Sequence, residues 1–230
     1  MDKFEMLERY EALGQEDDFA AAKPLFVRAL RENPDADTYR QYGYLLFAHG
    51  RIEIRKALGQ YERAIALDPD AEKIQHMWIS AKAALFESEE AIALYRERVA
   101  KAPGDLRELR LLLSACLAAR DFGAAREIIE AGLKLAPADG ALIEARGEVR
   151  AHAGDPAGAL ADWRLALQLE PENLGPVYSS AFLLEREGRL AEAAASWQYI
   201  VDYCDERDWD LTAAWPRQEL LRVRQRIAES

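Results

Sequence analysis

Small and large apolar residues recur along this chain at one fixed interval. Alanines stand at Ala22, Ala57, Ala91, Ala125, Ala159 and Ala193, separated by 35, 34, 34, 34 and 34 residues. Four residues after each comes a large side chain: Phe26, Tyr61, Tyr95, Ile129, Trp163 and Trp197. Twelve after the first five comes proline, at Pro34, Pro69, Pro103, Pro137 and Pro171. A period of about 20–50 residues marks a chain built from one repeated supersecondary unit. Such a chain grows by stacking units and closes no single core.

The segment from Gly140 to Asn173 shows what one unit is. Ile143, Gly147 and Ala151 fall at helical spacing on one face of a first helix. His152-Ala153-Gly154-Asp155-Pro156 then breaks that helix. Gly154 is suited to the positive φ of a helix C-terminus, and Pro156 to the first turn of the next helix. The second helix carries an apolar stripe of Ala159, Trp163, Ala166, Leu167 and Leu169, and Pro171 ends it. Two antiparallel helices joined by a tight turn follow. Gly147 and Ala159 let their backbones approach, with Trp163 filling the space beside them. One such pair leaves an apolar face bare and must stack on the next.

The helix–turn–helix unit, with small residues at its eighth and twentieth positions, an aromatic at 24, Ala at 27 and Pro at 32, resembles the tetratricopeptide repeat (TPR). The residues that carry the likeness are Gly147, Gly154, Ala159, Trp163, Ala166 and Pro171 in this unit. In the second unit they are Tyr39, Gly43, Leu46, Gly50, Ala57, Tyr61, Ala64 and Pro69. The resemblance spans about residues 1–206 and implies an all-α, right-handed superhelical solenoid of six helix pairs. The units are expected at about 1–35, 36–70, 71–104, 105–138, 139–172 and 173–206. A connector and capping helix over 207–230 bring the total to about thirteen helices.

Several units depart from the pattern. Two extra residues lie between Gly50 and Ala57, and others around Gln15–Asp18, which should lengthen a turn or the start of a second helix. Arg98 and Gly132 stand in slots that alanine usually fills, so looser or shifted packing is expected there, with Arg98 snorkelling outward. The third unit has Phe86-Glu87-Ser88 where a turn glycine is expected. Beyond the sixth unit, Asp208–Ala214 reads as a connector. Trp215-Pro216 is expected to open a helix whose Leu220, Val223 and Ile227 cover the last repeat. The competing reading makes Trp209, Trp215 and the arginines after them a contact site for a partner.

Composition narrows the functional classes. Half of the 230 residues are hydrophobic, enough to bury a continuous core, while the net charge of −11 disfavours phosphate backbones and anionic membranes. The two cysteines, Cys116 and Cys204, lie in different units without metal-ligand spacing and read as buried reduced thiols. Neither a secretion signal at the start nor an apolar run of about 18 residues is found, so a cytoplasmic protein is expected. His49, His76 and His152 pair with no nucleophile, and no phosphate-cradling glycine loop occurs. Catalysis, cofactors and metals are therefore not expected.

The resemblance also implies where a partner sits. In this family the first helices line a concave groove that commonly holds a peptide or helix of another protein. Carried over, the groove positions are Arg40, Tyr44 and Phe47 in the second unit, and Gln75 and Ile79 in the third. They continue as Arg107, Arg110, Ser114 and Leu117, then Glu144 and Glu148, then Tyr178, Phe182 and Glu185. Arginine grips carboxylates in bidentate fashion and aromatics supply anchoring area. The expected partner is a protein segment of mixed charge, acidic where it meets Arg40, Arg107 and Arg110. No asparagine stands where the family's carboxylate clamp needs one. Two other readings remain: a self-assembling homo-oligomeric scaffold, and an RNA-binding helical array, which the acidic charge disfavours.

Overall fold

A computed structural model describes residues 16–32 and 35–229, and every regular element in them is an α-helix. The helices are α1 (Glu16–Glu32), α2 (Ala36–Leu67), α3 (Glu72–Ala84), α4 (Ser88–Lys101), α5 (Leu106–Ala118) and α6 (Phe122–Leu135). They continue as α7 (Gly140–His152), α8 (Pro156–Leu169), α9 (Gly175–Arg186), α10 (Leu190–Asp205) and α11 (Asp210–Ala228). Eleven helices among the described residues stand where about thirteen were expected. One missing helix would fall in residues 1–15, outside the described residues. The other is a correction: the second unit's two helices are one.

That merged helix, α2, runs unbroken for 32 residues. The turn expected at Gly50 does not form: no residue of Gly50-Arg51-Ile52-Glu53-Ile54-Arg55 takes a positive φ, and the segment continues as helix. A glycine inside a helix costs only about 1 kcal/mol, which the surrounding helix formers can carry. The consequence shows in the periodic residues. Ala22, Ala91, Ala125, Ala159 and Ala193 are all fully buried, whereas Ala57 and its partner Tyr61 are only half-buried.

The turns inside the later units repeat as strictly as the alanines. Phe86, Arg120, Gly154 and Gly188, each 34 residues from the next, all have positive φ, at 62°, 59°, 81° and 73°. At each, the following N–H reaches back to a carbonyl five residues earlier: Glu87 to Lys82, Asp121 to Cys116, Asp155 to Arg150 and Arg189 to Leu184, at 2.8–2.9 Å. This is the hydrogen bond that closes a helix through a left-handed residue. Phe86 thus occupies the glycine position that looked vacant in the third unit. Aspartates set the helix starts. Asp35, Asp105, Asp121, Asp139 and Asp155 each accept a bond from a backbone N–H in the first turn of the helix that follows.

The chain divides into two compact units between Leu94 and Tyr95. In the first, α1 packs on the N-terminal half of α2 through Ala22, Phe26 and Leu45, and the Phe26 and Tyr42 rings stack at 5.7 Å. The C-terminal half of α2 meets α3, where the Trp78 indole donates to Glu62 at 3.4 Å. Lys82, nearly buried, is neutralised by Glu87 and Glu90.

In the second compact body, from Tyr95 onward, the exceptional slots are filled by neighbours. Arg98 lies over the Tyr95 ring at 5.3 Å and extends its charge to Glu108, 3.6 Å away. Burial pushes the Tyr95 phenol up to about 12. A side chain at Gly132 would meet the Leu142 methyl at 2.6 Å, so the missing Cβ is the space that Leu142 uses. At the far end, Ala213, Leu220 and Val223 of α11 complete a core with Val177, Ala181, Leu184, Ala193, Trp197 and Ile200. This helix packs against α9 and α10. It begins at Asp210 rather than at Trp215, taking Pro216 into its interior, because a left-handed Asp208 and the Trp209 N–H bond to Cys204 close α10 first.

Candidate protein-interaction surface

In the C-terminal compact body, α5 presents Arg107, Arg110, Ser114 and Leu117, all half-buried. Both arginines are engaged within the chain. Arg107 Nη2 lies 3.1 Å from Glu108, while Arg110 Nη1 lies 4.0 Å from Asp139 and its Nε donates to the Leu106 carbonyl. A guanidinium carries five N–H donors, and these contacts leave both side chains part of their surface in solvent. They are positioned by their acidic neighbours as much as neutralised by them.

Glu144 and Glu148 follow on α7, one turn apart. Asn173 Nδ2 donates to the Glu144 carboxylate at 2.7 Å, while its own Oδ1 accepts from the Gly175 N–H and opens α9. Burial holds the Glu144 carboxyl above the usual carboxylate range, opposed by the Asn173 bond and reinforced by Glu170 and Glu148. Burial raises Glu148 as well, opposed by His152 and Arg120. Neither carboxylate forms an ion pair with a described residue. Two desolvated acids stand on one helix face without a direct counter-cation.

The sixth unit's positions are taken by the chain itself. Tyr178 stacks on Trp215 of α11 at 5.8 Å, and Phe182 meets Trp197 edge-on at 5.2 Å. Glu185, with only 9% of its side chain exposed, accepts from the Trp197 indole at 2.9 Å. Its other oxygen pairs with Arg222 at 2.7 Å and Arg226 at 3.2 Å. Glu185 is thus spent on docking the capping helix and corrects the expectation of a free groove carboxylate. Arg222 also pairs with Glu219 of its own helix at 2.6 Å.

In the N-terminal compact body, Arg40, Tyr44 and Phe47 of the second repeat are exposed on α2. Gln75 and Ile79 are not surface residues: they are 0% and 1% exposed, and Gln75 donates to the Pro69 carbonyl at 2.6 Å. The register of the third unit explains the miss. Counted from Ala91, Ile79 corresponds to Gly147 and Gln75 to Ile143, both packing positions. The equivalents of Arg107, Arg110, Ser114 and Leu117 are Lys73, His76, Ser80 and Ala83.

The remaining polar chemistry is structural. His49 stacks on Phe19 at 3.7 Å, His152 on Phe122 at 4.1 Å, and His76 lies 3.7 Å from Glu72. Asp162, buried on α8, is held bidentately by Arg146 and again by Arg150. Among the described residues no three His, Cys, Asp or Glu side chains converge as a metal site. No described helix is long and apolar enough to cross a membrane.

Helix pairs of this length, small-residue contacts and left-handed turns at one period define a helical-repeat protein. Known structures agree. The chain is similar to a thermophilic TPR protein of Thermus thermophilus, with a TM-score of 0.57 and 24% identity over 76% of this chain and 95% of that one. A TPR protein from Parabacteroides merdae ATCC 43184 aligns over 96% and 93% of the two chains, with a TM-score of 0.50 and 15% identity. A subunit of an APC/C hetero-tetramer aligns at 0.54 and 13% identity, over 91% of this chain and 42% of its own. In sequence, 75 residues are 40% identical to cellulose synthase operon protein C of Xanthomonas axonopodis pv. citri (strain 306). That match is 33% of this chain and only 5% of the relative's length. No family model matches. The chain has the tetratricopeptide-repeat fold.

Proposed function

We propose that the chain is a protein-interaction module whose C-terminal compact body holds a partner segment of mixed charge along α5 and α7. The acidic part of that segment lies over Arg107 and Arg110, and its basic part over Glu144 and Glu148. One observation carries the reading: two half-buried carboxylates on adjacent turns form no ion pair with a described residue, Glu144 meeting the Asn173 amide and Glu148 only the fields of His152 and Arg120. A half-buried charge without a close counter-ion is costly, and a lysine or arginine from outside relieves that cost. The arginines opposite favour acidic groups, which gives the segment a direction. The capping helix already covers Tyr178 and Glu185, so the binding row ends before α9. That one neighbour in the same fold is a subunit of a hetero-tetramer is consistent with a protein partner. The net charge of −11 makes nucleic acid a poor occupant.

The test begins with a partner segment cross-linked to α5 and α7 and identified by mass spectrometry. Its affinity is then compared for the natural chain, Arg107→Ala/Arg110→Ala and Glu144→Gln/Glu148→Gln. Each double variant should bind about tenfold more weakly, or about 1.4 kcal/mol, with helicity unchanged. Equal affinity in both variants overturns the reading.

A further inference from the structure

The unbroken α2 leaves two faces bare that the repeat pattern makes for each other. In a regular unit the glycine of the first helix receives the large residue of the second. A Cβ placed on Gly147 would lie 2.5 Å from the Trp163 indole nitrogen. The corresponding pair in the second unit is Gly43 and Tyr61. Here a Cβ on Gly43 or Gly50 meets no atom of the described residues within 4 Å. Eighteen residues of straight helix, about 27 Å, hold Gly43 and Tyr61 apart within one chain.

The bare face is a continuous seam. Gly43, Phe47, Gly50, Ile54, Ala57 and Tyr61 alternate at spacings of four and three residues. That spacing keeps side chains on one side of a helix and is the spacing of two-helix coiled coils. Helix α1 packs on the opposite side, through Leu45, Ala48 and Ile52. Phe47 is 53% exposed, and Tyr39 and Leu46 flank the seam in solvent. On the C-terminal half, Ile54, Ala57 and Tyr61 form one wall of an open groove of about 510 Å³, with His76, Met77 and Ser80 of α3 as the other. Among the described residues no helix occupies this face on either half.

We infer that the occupant is a second copy of this chain, and that two α2 helices pair antiparallel about a two-fold axis to form a hairpin-swapped dimer. The sequence of the seam singles out that partner. Antiparallel pairing that sets Gly43 on Tyr61 also sets Phe47 on Ala57 and Gly50 on Ile54. Every layer opposes a small residue to a large one, and each contact is repeated across the axis. The axis falls at the level of Ile52, the middle of the 32-residue helix. An isologous interface requires such self-complementarity, and exchange of one element between copies is a known route to it. Arg51 and Glu53 come into opposition beside the axis, adding charge complementarity. Each copy's Gly43–Phe47 segment thereby fills the other's groove against α3, restoring between chains the packing that other units make within one.

The experiment uses the full chain. Light scattering across concentration should give twice the 25.9 kDa monomer mass. Gly43→Cys and Tyr61→Cys are then made in separate chains, mixed and oxidised. A disulfide-linked dimer should form in the mixture and in neither variant alone, since only different copies can join the two positions. If either variant loses helicity, Phe47→Cys mixed with Ala57→Cys reads the next layer. A monomer at every concentration, or a dimer whose mixed cysteines do not link, overturns the inference. So does a double variant, Gly43→Cys/Tyr61→Cys, that closes its disulfide within one chain, because the second unit is then an ordinary hairpin.

Discussion

The Trp163 indole occupies the space that a side chain at Gly147 would need, and its N–H donates to the Glu144 carbonyl at 3.1 Å. The contact fixes the distance between α7 and α8 and, through the same turn of backbone, the placement of the Glu144 side chain. Gly147→Ala gains helix propensity but forces the indole away. Overpacking of this kind typically destabilises by about 1–3 kcal/mol. The melting temperature of the variant should therefore fall, and its tryptophan emission should shift to the red as the indole moves outward.

Phe86 and Arg120 hold the left-handed conformation that Gly154 and Gly188 adopt in the next two units. For a residue with a Cβ this conformation costs about 1–2 kcal/mol. The Phe86 ring is largely in solvent, so little packing is lost with it. Phe86→Gly should raise stability by about 1 kcal/mol, and Gly154→Ala should lower it by a similar amount. Chemical denaturation of the two variants gives opposite shifts in midpoint.

Glu144 titrates above the usual carboxylate range in the folded chain, because burial disfavours its charge. A folded pKa above the unfolded one means that the folded state binds more protons between the two values. The stability contributed by this group therefore rises as pH falls through the folded value and is lost again as pH increases. Glu144→Gln keeps an acceptor for Asn173 and removes the charge. At neutral pH the variant should be at least as stable as the natural chain, and its advantage should shrink on acidification. Thermal melts from pH 7 down to the usual carboxylate range read the difference.

Glu185 joins the Trp197 indole to two arginines of the capping helix. Glu185→Ala leaves the buried indole N–H without its acceptor and frees α11, for a loss of about 1–3 kcal/mol. Deleting residues 208–230 goes further, since it uncovers Trp197 and Ile200. The shortened chain should aggregate under conditions where Glu185→Ala still folds, as seen by light scattering on heating.

The alanine–aromatic period was enough to read the helix pairs from the sequence, because tight contact between two helices tolerates few residue types. Ala125 and Ile129 or Ala159 and Trp163 could be placed without coordinates. The second unit was misread for a physical reason: glycine permits a turn but does not impose one, and Gly50 has no proline after it as Gly154 has Pro156. The left-handed Phe86 and Arg120 were hidden because no residue preference marks them, although the 34-residue steps from Phe86 to Arg120 and from Arg120 to Gly154 did. The groove list failed at Gln75 and Ile79 through register, which Ala91 would have corrected. It failed at Glu185 because its arginine partners lie 37 and 41 residues away. Burial raises both Glu144 and Glu148, with Asn173 opposing the shift at Glu144, and no local pattern announces it.

Hydrogen exchange on the chain with and without its cross-link-identified partner segment bears most directly on the proposed binding row. Added protection in α5 and α7, with α6 and α8 unchanged, is the predicted result. Protection confined to α6 and α8, or none in α5 and α7, contradicts it.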